Sequence, residues 1–195
     1  MSWLDRRLCR AVVLGCSAGG MDAAAALLGQ LGPKFRLPLI IVQHRQAGHD
    51  EALAHFYSSH THLAVTEAGE KEKIQKNHLY LAPPDYHLLI EQDETFSLSV
   101  EEKVNYCRPS IDVLFESAAD VYGFGLAGII LSGANRDGAQ GLKRIKEQGG
   151  LALVQTPETA QFAEMPHSAL RAVQPDHVLS PADMGRLLTK LRSTL

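Results

Sequence analysis

A serine, a histidine and an aspartate each follow a short apolar segment of this sequence. They are Ser17, His44 and Asp137, and the segments are residues 12–14, 37–43 and 125–131. A hydroxyl is a poor nucleophile until a base takes its proton, and imidazole titrates near neutral pH. A carboxylate can fix the imidazole tautomer and stabilise the imidazolium. The three residue types therefore predict a serine hydrolase with Ser17 as nucleophile, His44 as base and Asp137 as orienting acid.

The surroundings of the serine suit that chemistry. Ser17 lies in a glycine-rich turn between an apolar segment and an alanine-rich one, and amides at a helix N-terminus, including that of Ala18, could face an oxyanion. The pattern Gly15-x-Ser17-x-Gly19 matches the nucleophile elbow of α/β-hydrolases in form. Those enzymes order their residues as serine, acid, histidine, whereas the order here is serine, histidine, acid, so that family is excluded.

Each residue also has an ordinary structural explanation. Gly15-x-Ser17-x-x-Gly20 could be a degenerate dinucleotide fingerprint, but that interpretation needs an acidic residue near the end of the second strand, where Gln43 and His44 stand. His44 alone could be a satisfied histidine at the rim, and Asp137 alone could cap the following helix. Their joint placement at strand ends favours the hydrolase.

Four further histidines raise the possibility of a metal site: His49, His55, His60 and His62. Their spacing is poor for one helix face, and no cysteine or acidic cluster joins them, so a solvated helix and loop is favoured over zinc. We expect neither a metal nor a cofactor. The three cysteines form no close pair, which argues against a disulfide scaffold and suits a reducing cytoplasm.

Strand–helix alternation must position the three residues. Continuous apolar runs separated by helical segments predict strands buried on both faces of a parallel sheet. Short strands near residues 79–81, 87–90 and 96–100 are joined by turns and predict two antiparallel hairpins at one edge. A helix over 110–122 is expected to have Ser110 as its N-cap. The fold class is thus α/β, a doubly wound, mostly parallel, Rossmann-like three-layer sheet with antiparallel hairpin strands at one edge.

Length and composition predict one domain over residues 1–195. Charged residues make up 21% and the net charge is -3, so nothing drives the chain towards nucleic acid or an anionic membrane. No apolar run approaches the roughly 20 residues of a membrane helix. The apolar stretch before Cys16 is shorter than the core of an export signal. We expect a cytoplasmic protein without membrane insertion.

At these residues the sequence resembles the catalytic domain of the protein-glutamate methylesterases of bacterial chemotaxis. The main segments are VLGCSAGG at 13–20, IVQH at 41–44 and LSGANRDGA at 131–139, and the secondary ones are LYLAP at 79–83, RPSID at 108–112 and EMP at 164–166. The resemblance covers essentially the whole chain. It implies hydrolysis of glutamate methyl esters on the cytoplasmic helices of methyl-accepting chemoreceptors with release of methanol, and deamidation of receptor glutamines.

The resemblance also implies Ser17 as nucleophile, His44 as general base, Asp137 as acid, and backbone near Ala134 at the oxyanion. Family members commonly have threonine, methionine and a Gly-Asn pair where this chain has Ala18, Ala134 and Asn135-Arg136. They usually carry an N-terminal receiver domain, so this chain is expected to be a stand-alone homologue or an excised domain, with a methyltransferase or separate receiver protein as a possible partner. The alternative functions are a catalytically silent module that binds a receptor or methyltransferase, and a hydrolase of another protein ester or amide.

Overall fold

The computed structural model describes residues 8–44 and 50–193. The described residues form eleven strands and six α-helices. The strands are β1 (Leu8–Cys9), β2 (Ala11–Cys16), β3 (Leu39–Gln43), β4 (Ala64–Glu67), β5 (His78–Leu81), β6 (His87–Ile90), β7 (Phe96–Ser99), β8 (Leu126–Ile130), β9 (Leu151–Gln155), β10 (His177–Leu179) and β11 (Arg192–Ser193). The helices are α1 (Gly20–Leu28), α2 (Asp50–Ser58), α3 (Ile111–Tyr122), α4 (Ala139–Glu147), α5 (Glu164–Ala172) and α6 (Pro181–Leu188).

Seven strands form one parallel sheet in the order β10-β9-β8-β2-β3-β5-β4. The first strand of this sheet, β2, lies at its centre, with β3, β5 and β4 on one side and β8, β9 and β10 on the other. The strand order reverses between β2 and β8, which is the point where doubly wound sheets bind ligands. β2 and β3 are in register from Val12 opposite Leu39 to Cys16 opposite Gln43, so both strands end at the same level.

Helices cover both faces of the sheet. Side chains of β2 point alternately to the two faces: Val12 and Leu14 pack into a core under α1, α2 and α6. Val13 and its neighbours pack into a second core under α3, α4 and α5. Every residue of β2 is buried, as expected for a strand covered on both faces. The predicted three-layer α/β architecture is confirmed.

The antiparallel part of the fold is smaller than predicted. β6 and β7 form a single hairpin, which is a separate two-stranded sheet. It is not hydrogen-bonded to the edge of the main sheet; Leu88 and Phe96 instead pack into the core under α3. The prediction that β5 belongs to a hairpin is wrong, because β5 pairs in parallel with β3 and β4. Its buried Leu79-Tyr80-Leu81 is a continuous apolar run, the pattern of a parallel strand.

The helix predicted over 110–122 is α3, at Ile111–Tyr122. Near the C-terminus, α6 ends at Leu188, and β11 pairs in parallel with β1 in a second small sheet. Ser180 caps α6 by accepting a hydrogen bond from the backbone N–H of Asp183, and Pro181 occupies an early helical position. Within the described ranges, no helix is both long and apolar enough to span a membrane.

Candidate active site

The three predicted residues lie at the carboxyl edge of the sheet, beyond three adjacent strands. Ser17 directly follows β2, His44 directly follows β3, and Asp137 lies in the loop between β8 and α4. The ladder continues past the strand ends: the N–H of His44 donates to the carbonyl of Cys16 at 3.0 Å, and the N–H of Ser17 donates to the carbonyl of Ser132 at 2.9 Å. Residues at successive ends of paired parallel strands are held about 5 Å apart, so the backbone fixes Ser17 beside His44.

His44 and Asp137 form a buried pair. The Nε2 atom of His44 lies 2.9 Å from Oδ2 of Asp137, and the two side chains are 11% and 0% exposed. A carboxylate at this distance accepts from Nε2–H and leaves the lone pair of the neutral ring on Nδ1. The structure thus places His44 and Asp137 within hydrogen-bonding distance of each other.

A cage of donors surrounds the Asp137 carboxylate. Oδ1 accepts from the Ser110 hydroxyl at 2.8 Å, from Nδ2 of Asn105 at 2.9 Å and from the N–H of Asp112 at 3.4 Å. Oδ2 accepts from the N–H of Ile111 at 2.6 Å as well as from His44. Burial disfavours the charged form, yet these donors outweigh burial and lower the pKa of Asp137. The carboxylate stays ionised beside the imidazole.

The opposite nitrogen of His44 faces two groups. Nδ2 of Asn135 lies 3.3 Å from Nδ1, and Sγ of Cys107 lies 3.7 Å from it. Burial lowers the pKa of His44, but the hydrogen bonds and the charge interactions with Asp137 and Cys107 outweigh burial and raise the pKa to about 9. The ring is therefore a stronger base than a free histidine.

Ser17 is half-buried at the mouth of this pair. Its carbonyl accepts from Nε2 of Gln43 at 3.0 Å and from the N–H of Gly20 at 2.9 Å, which fixes the turn. Within residues 8–44 and 50–193, the Ser17 hydroxyl makes no hydrogen bond. The structure thus brings the predicted acid and base into contact and places the serine beside them without a direct bond to His44.

Backbone amides near the serine are free to bind an anion. Among the described residues, the N–H groups of Ala18 and Ala134 donate no hydrogen bond. The turn requires Gly19, whose φ is 68°, a conformation that favours glycine. A side chain at Gly20 would place its Cβ 2.4 Å from Cβ of Cys16. The amides of Ala18 and Ala134 are the donors that an oxyanion near Ser17 could use.

Sequence reasoning missed most of the groups that hold Asp137. Ser110 precedes α3 as expected, but its hydroxyl makes no capping bond and donates to Asp137 instead. Asn105 bridges two buried carboxylates, since its Nδ2 also donates to Asp112 at 2.8 Å. The only signal was RPSID at 108–112, which suggested a relationship without a role. The contacts of Ser110 and Asn105 with Asp137 join residues that are 27 and 32 positions apart, so no local pattern reveals them.

The histidine-rich stretch has ordinary contacts where the structure describes it. Nδ1 of His60 contacts the carbonyl of Phe56 at 2.8 Å, and Nε2 of His62 contacts that of Phe35 at 3.1 Å; His49 lies outside the described residues. In the described part of the chain, the one group with metal-ligand atoms close together is His44, Cys107 and Asp137. Both carboxylate oxygens of Asp137 already accept hydrogen bonds, one of them from His44. The three residues therefore fit a proton-transfer pair better than a metal site.

Comparison with known proteins decides the relationship. The family model for the CheB methylesterase matches residues 12–188. The chain belongs to the CheB methylesterase family. A solved structure of the same family, the Thermotoga maritima CheB methylesterase catalytic domain, superimposes with a TM-score of 0.89 at 30% identity and covers 93% of this chain and 98% of that one.

Two curated CheB relatives differ in length. One is a protein from Leptospira interrogans that is named as a protein-glutamate methylesterase/protein-glutamine glutaminase by assignment. It is 51% identical over 181 residues, which are 93% of this chain and 94% of the relative. One from Methanospirillum hungatei, named protein-glutamate methylesterase/protein-glutamine glutaminase 2, is 35% identical over 182 residues, which are 93% of this chain but 52% of the relative. The family fold predicted from the motifs is confirmed.

Proposed function

We propose that the chain is a serine hydrolase that removes methyl esters from glutamate side chains of chemoreceptors and deamidates receptor glutamines. Ser17 is the nucleophile, His44 the general base and Asp137 the orienting acid. The observation that carries this proposal is the buried 2.9 Å contact between Nε2 of His44 and Oδ2 of Asp137, beside a serine on the neighbouring strand end. The names of the curated relatives supply the substrate, a protein glutamate ester or glutamine amide.

The geometry supports an acyl-enzyme route. Oγ of Ser17 attacks the ester carbonyl while Nδ1 of His44 takes the hydroxyl proton, and the amides of Ala18 and Ala134 bind the oxyanion. When the tetrahedral intermediate collapses, its C–O bond to the methoxy group breaks and His44 returns the proton, so methanol leaves. Water then attacks the glutamyl-Ser17 ester with His44 as base, releasing glutamate and the free serine. With a glutamine amide, ammonia leaves instead.

The same proposal covers the setting of the enzyme. Residues 1–195 form one catalytic domain that works in the cytoplasm, where the receptor helices carry their methylated glutamates. A methyltransferase that adds the methyl groups and a separate receiver protein are candidate partners. No metal or cofactor takes part, because a neutral ester needs only a nucleophile, a base and oxyanion donors.

Methanol release from a methylated receptor fragment tests the mechanism. The Ser17→Ala variant should lose at least about 10³-fold in turnover, because the members of a triad act as a unit. Ser58→Ala is a matched control, since Ser58 is exposed on α2 and its hydroxyl donates to the carbonyl of Ala54. A fluorophosphonate should label the wild type and Ser58→Ala but not Ser17→Ala.

Two results would contradict the proposal. Full methanol release by Ser17→Ala would remove Ser17 from the mechanism. A wild type that binds the receptor fragment but neither releases methanol nor reacts with the fluorophosphonate would make the chain a silent binding module of the same fold. Ammonia release from a fragment that carries glutamine at the modified positions separates the glutaminase from the esterase activity.

A further inference from the structure

The base nitrogen of His44 is in contact with a group that the proposed mechanism does not use. Nδ2 of Asn135 lies 3.3 Å from Nδ1 of His44. In the proposed reaction this same nitrogen must accept the proton of Ser17. Asn135 is half-buried in the loop that carries Asp137, so the same loop supplies a contact to each nitrogen of the His44 ring.

The orientation of the Asn135 amide is set by its other end. Oδ1 accepts a hydrogen bond from the N–H of Asp137 at 3.0 Å. An amide group presents its oxygen and its NH₂ on opposite sides. Because the oxygen is held by a backbone donor, the NH₂ group must face His44 and the nearby Cys107, whose Sγ lies 3.6 Å away.

A ring nitrogen has one lone pair, which accepts one hydrogen bond. The Asn135 donor occupies it, and in the described part of the chain the Ser17 hydroxyl has no hydrogen bond. We propose that Asn135 is a positioning residue that holds His44 in a resting state by competing with the Ser17 hydroxyl for Nδ1. This inference rests on the proposed function, since it concerns the same serine and base.

The same contact affects protonation of the ring. A donor at Nδ1 favours the neutral imidazole, because a protonated Nδ1 would face the NH₂ group of Asn135. The groups that act in the opposite direction are Asp137 at Nε2 and Cys107 at Nδ1. Two further charged groups contact Asn105. The Asp112 carboxylate accepts a hydrogen bond from Nδ2 of Asn105, and Nε of Arg136 donates to Oδ1 of Asn105 at 3.3 Å. Asn135 therefore opposes the raised basicity that Asp137 gives the ring.

Two substitutions separate the two ends of the amide. Asn135→Ser keeps an oxygen that can accept from the Asp137 N–H, as serine does in such turns, and removes the donor to His44. Asn135→Asp keeps the shape and the acceptor but places a carboxylate oxygen at Nδ1. The readout is the rate constant of fluorophosphonate labelling of Ser17 over a pH series, which needs no receptor, followed by methanol release from a methylated fragment.

We expect Asn135→Ser to raise the alkaline plateau of both rates about three- to tenfold, because one hydrogen bond to Nδ1 is removed. The base limb, the pH range in which the rate rises as His44 loses its proton, should move to higher pH. The carboxylate of Asn135→Asp should stabilise the imidazolium form of His44. The rate of this variant at neutral pH should therefore fall, and its base limb should move to still higher pH. A loosened loop alone would lower the plateau and the melting temperature together.

The outcomes keep this inference separate from the proposed function. If Ser17→Ala abolishes labelling while Asn135→Ser leaves the plateau unchanged or lower, the role given to Asn135 is wrong and the triad stands. If Ser17→Ala is labelled as fast as the wild type, the triad itself fails. A rise in the plateau of Asn135→Ser that disappears when Ser17→Ala is added supports the competition and excludes Cys107 as the labelled group.

Discussion

The carboxylate of Asp137 has more hydrogen-bond donors than a single histidine needs. Besides His44, it accepts from a hydroxyl, a side-chain amide and two backbone N–H groups. These donors stabilise the anion against burial, and the anion in turn raises the pKa of His44. The donors of the 105–112 segment therefore act on the basicity of His44 through Asp137.

The pH dependence of activity should report this base. In the proposed mechanism the neutral ring is the active form, and the pKa of His44 is raised to about 9. Since the ring is mostly protonated below that value, kcat/KM should rise about tenfold per pH unit up to about pH 9 and then level off. End-point assays of methanol release across this pH range measure how kcat/KM rises with pH. A plateau that begins near pH 6.5 would show that the contacts with Asp137 and Cys107 do not raise the pKa of His44.

Replacing the acid by its amide should reverse that shift. In Asp137→Asn the charge that favours the imidazolium is lost, so the base limb should move to lower pH. The plateau rate should fall about 10³- to 10⁴-fold, because the amide can hold the wrong ring tautomer. Asp120→Asn serves as control, since Asp120 lies in an exposed ion pair with Arg144. Equal rates in wild type and Asp137→Asn would exclude Asp137 as the orienting acid.

At the scale of elements, α3 and α4 must lie close together to bring Asp112 and Asp137 into one network. Gly141 of α4 allows this: its N–H donates to Oδ1 of Asp112 at 2.7 Å. A Cβ at this position would lie 2.5 Å from Cβ of Phe115 and 3.1 Å from Cα of Asp112. The close contact of the two helices therefore depends on the absence of a side chain.

Gly141→Ala should destabilise the protein although alanine is the better helix former. The added methyl group has no space, so overpacking should lower the free energy of unfolding by about 1–3 kcal/mol. Gly32→Ala is the control, because a Cβ there meets nothing within 4 Å and should leave stability nearly unchanged. Urea denaturation of both variants measures the difference. A Gly141→Ala protein as stable as the wild type would mean that α3 and α4 can separate freely.

Elements also show how far the sequence could lead. Continuous apolar runs revealed the parallel strands, and in the structure Ser17, His44 and Asp137 lie beyond the ends of three of them, at one edge. The same pattern left β5 ambiguous, because a short apolar run next to turns fits a hairpin as well as a parallel strand. The roles of Asn105 and Ser110 were out of reach, since only the packed fold brings them to Asp137.

Over the whole molecule, the site is supported from both faces of the sheet. The core on one face joins α6 to α1, the helix that starts just after Ser17. The core on the other face joins α3 and α4, which flank the loop of Asp137. The strands extend away from the site, so side chains near their amino ends stabilise the fold without touching the reacting groups.

Leu188 lies at the last position of α6 and is fully buried in the core with Leu27 and Leu28. Leu188→Ala should lower the free energy of unfolding by about 2–5 kcal/mol, as cavities in well-packed cores do. In the folded fraction, kcat/KM and the position of the base limb should stay unchanged, because α6 makes no hydrogen bond to His44 or Asp137. Denaturation curves and a pH series on the same preparation measure both quantities. A limb that moves together with the loss of stability would show that the basicity of His44 depends on the whole core rather than on the donors around Asp137.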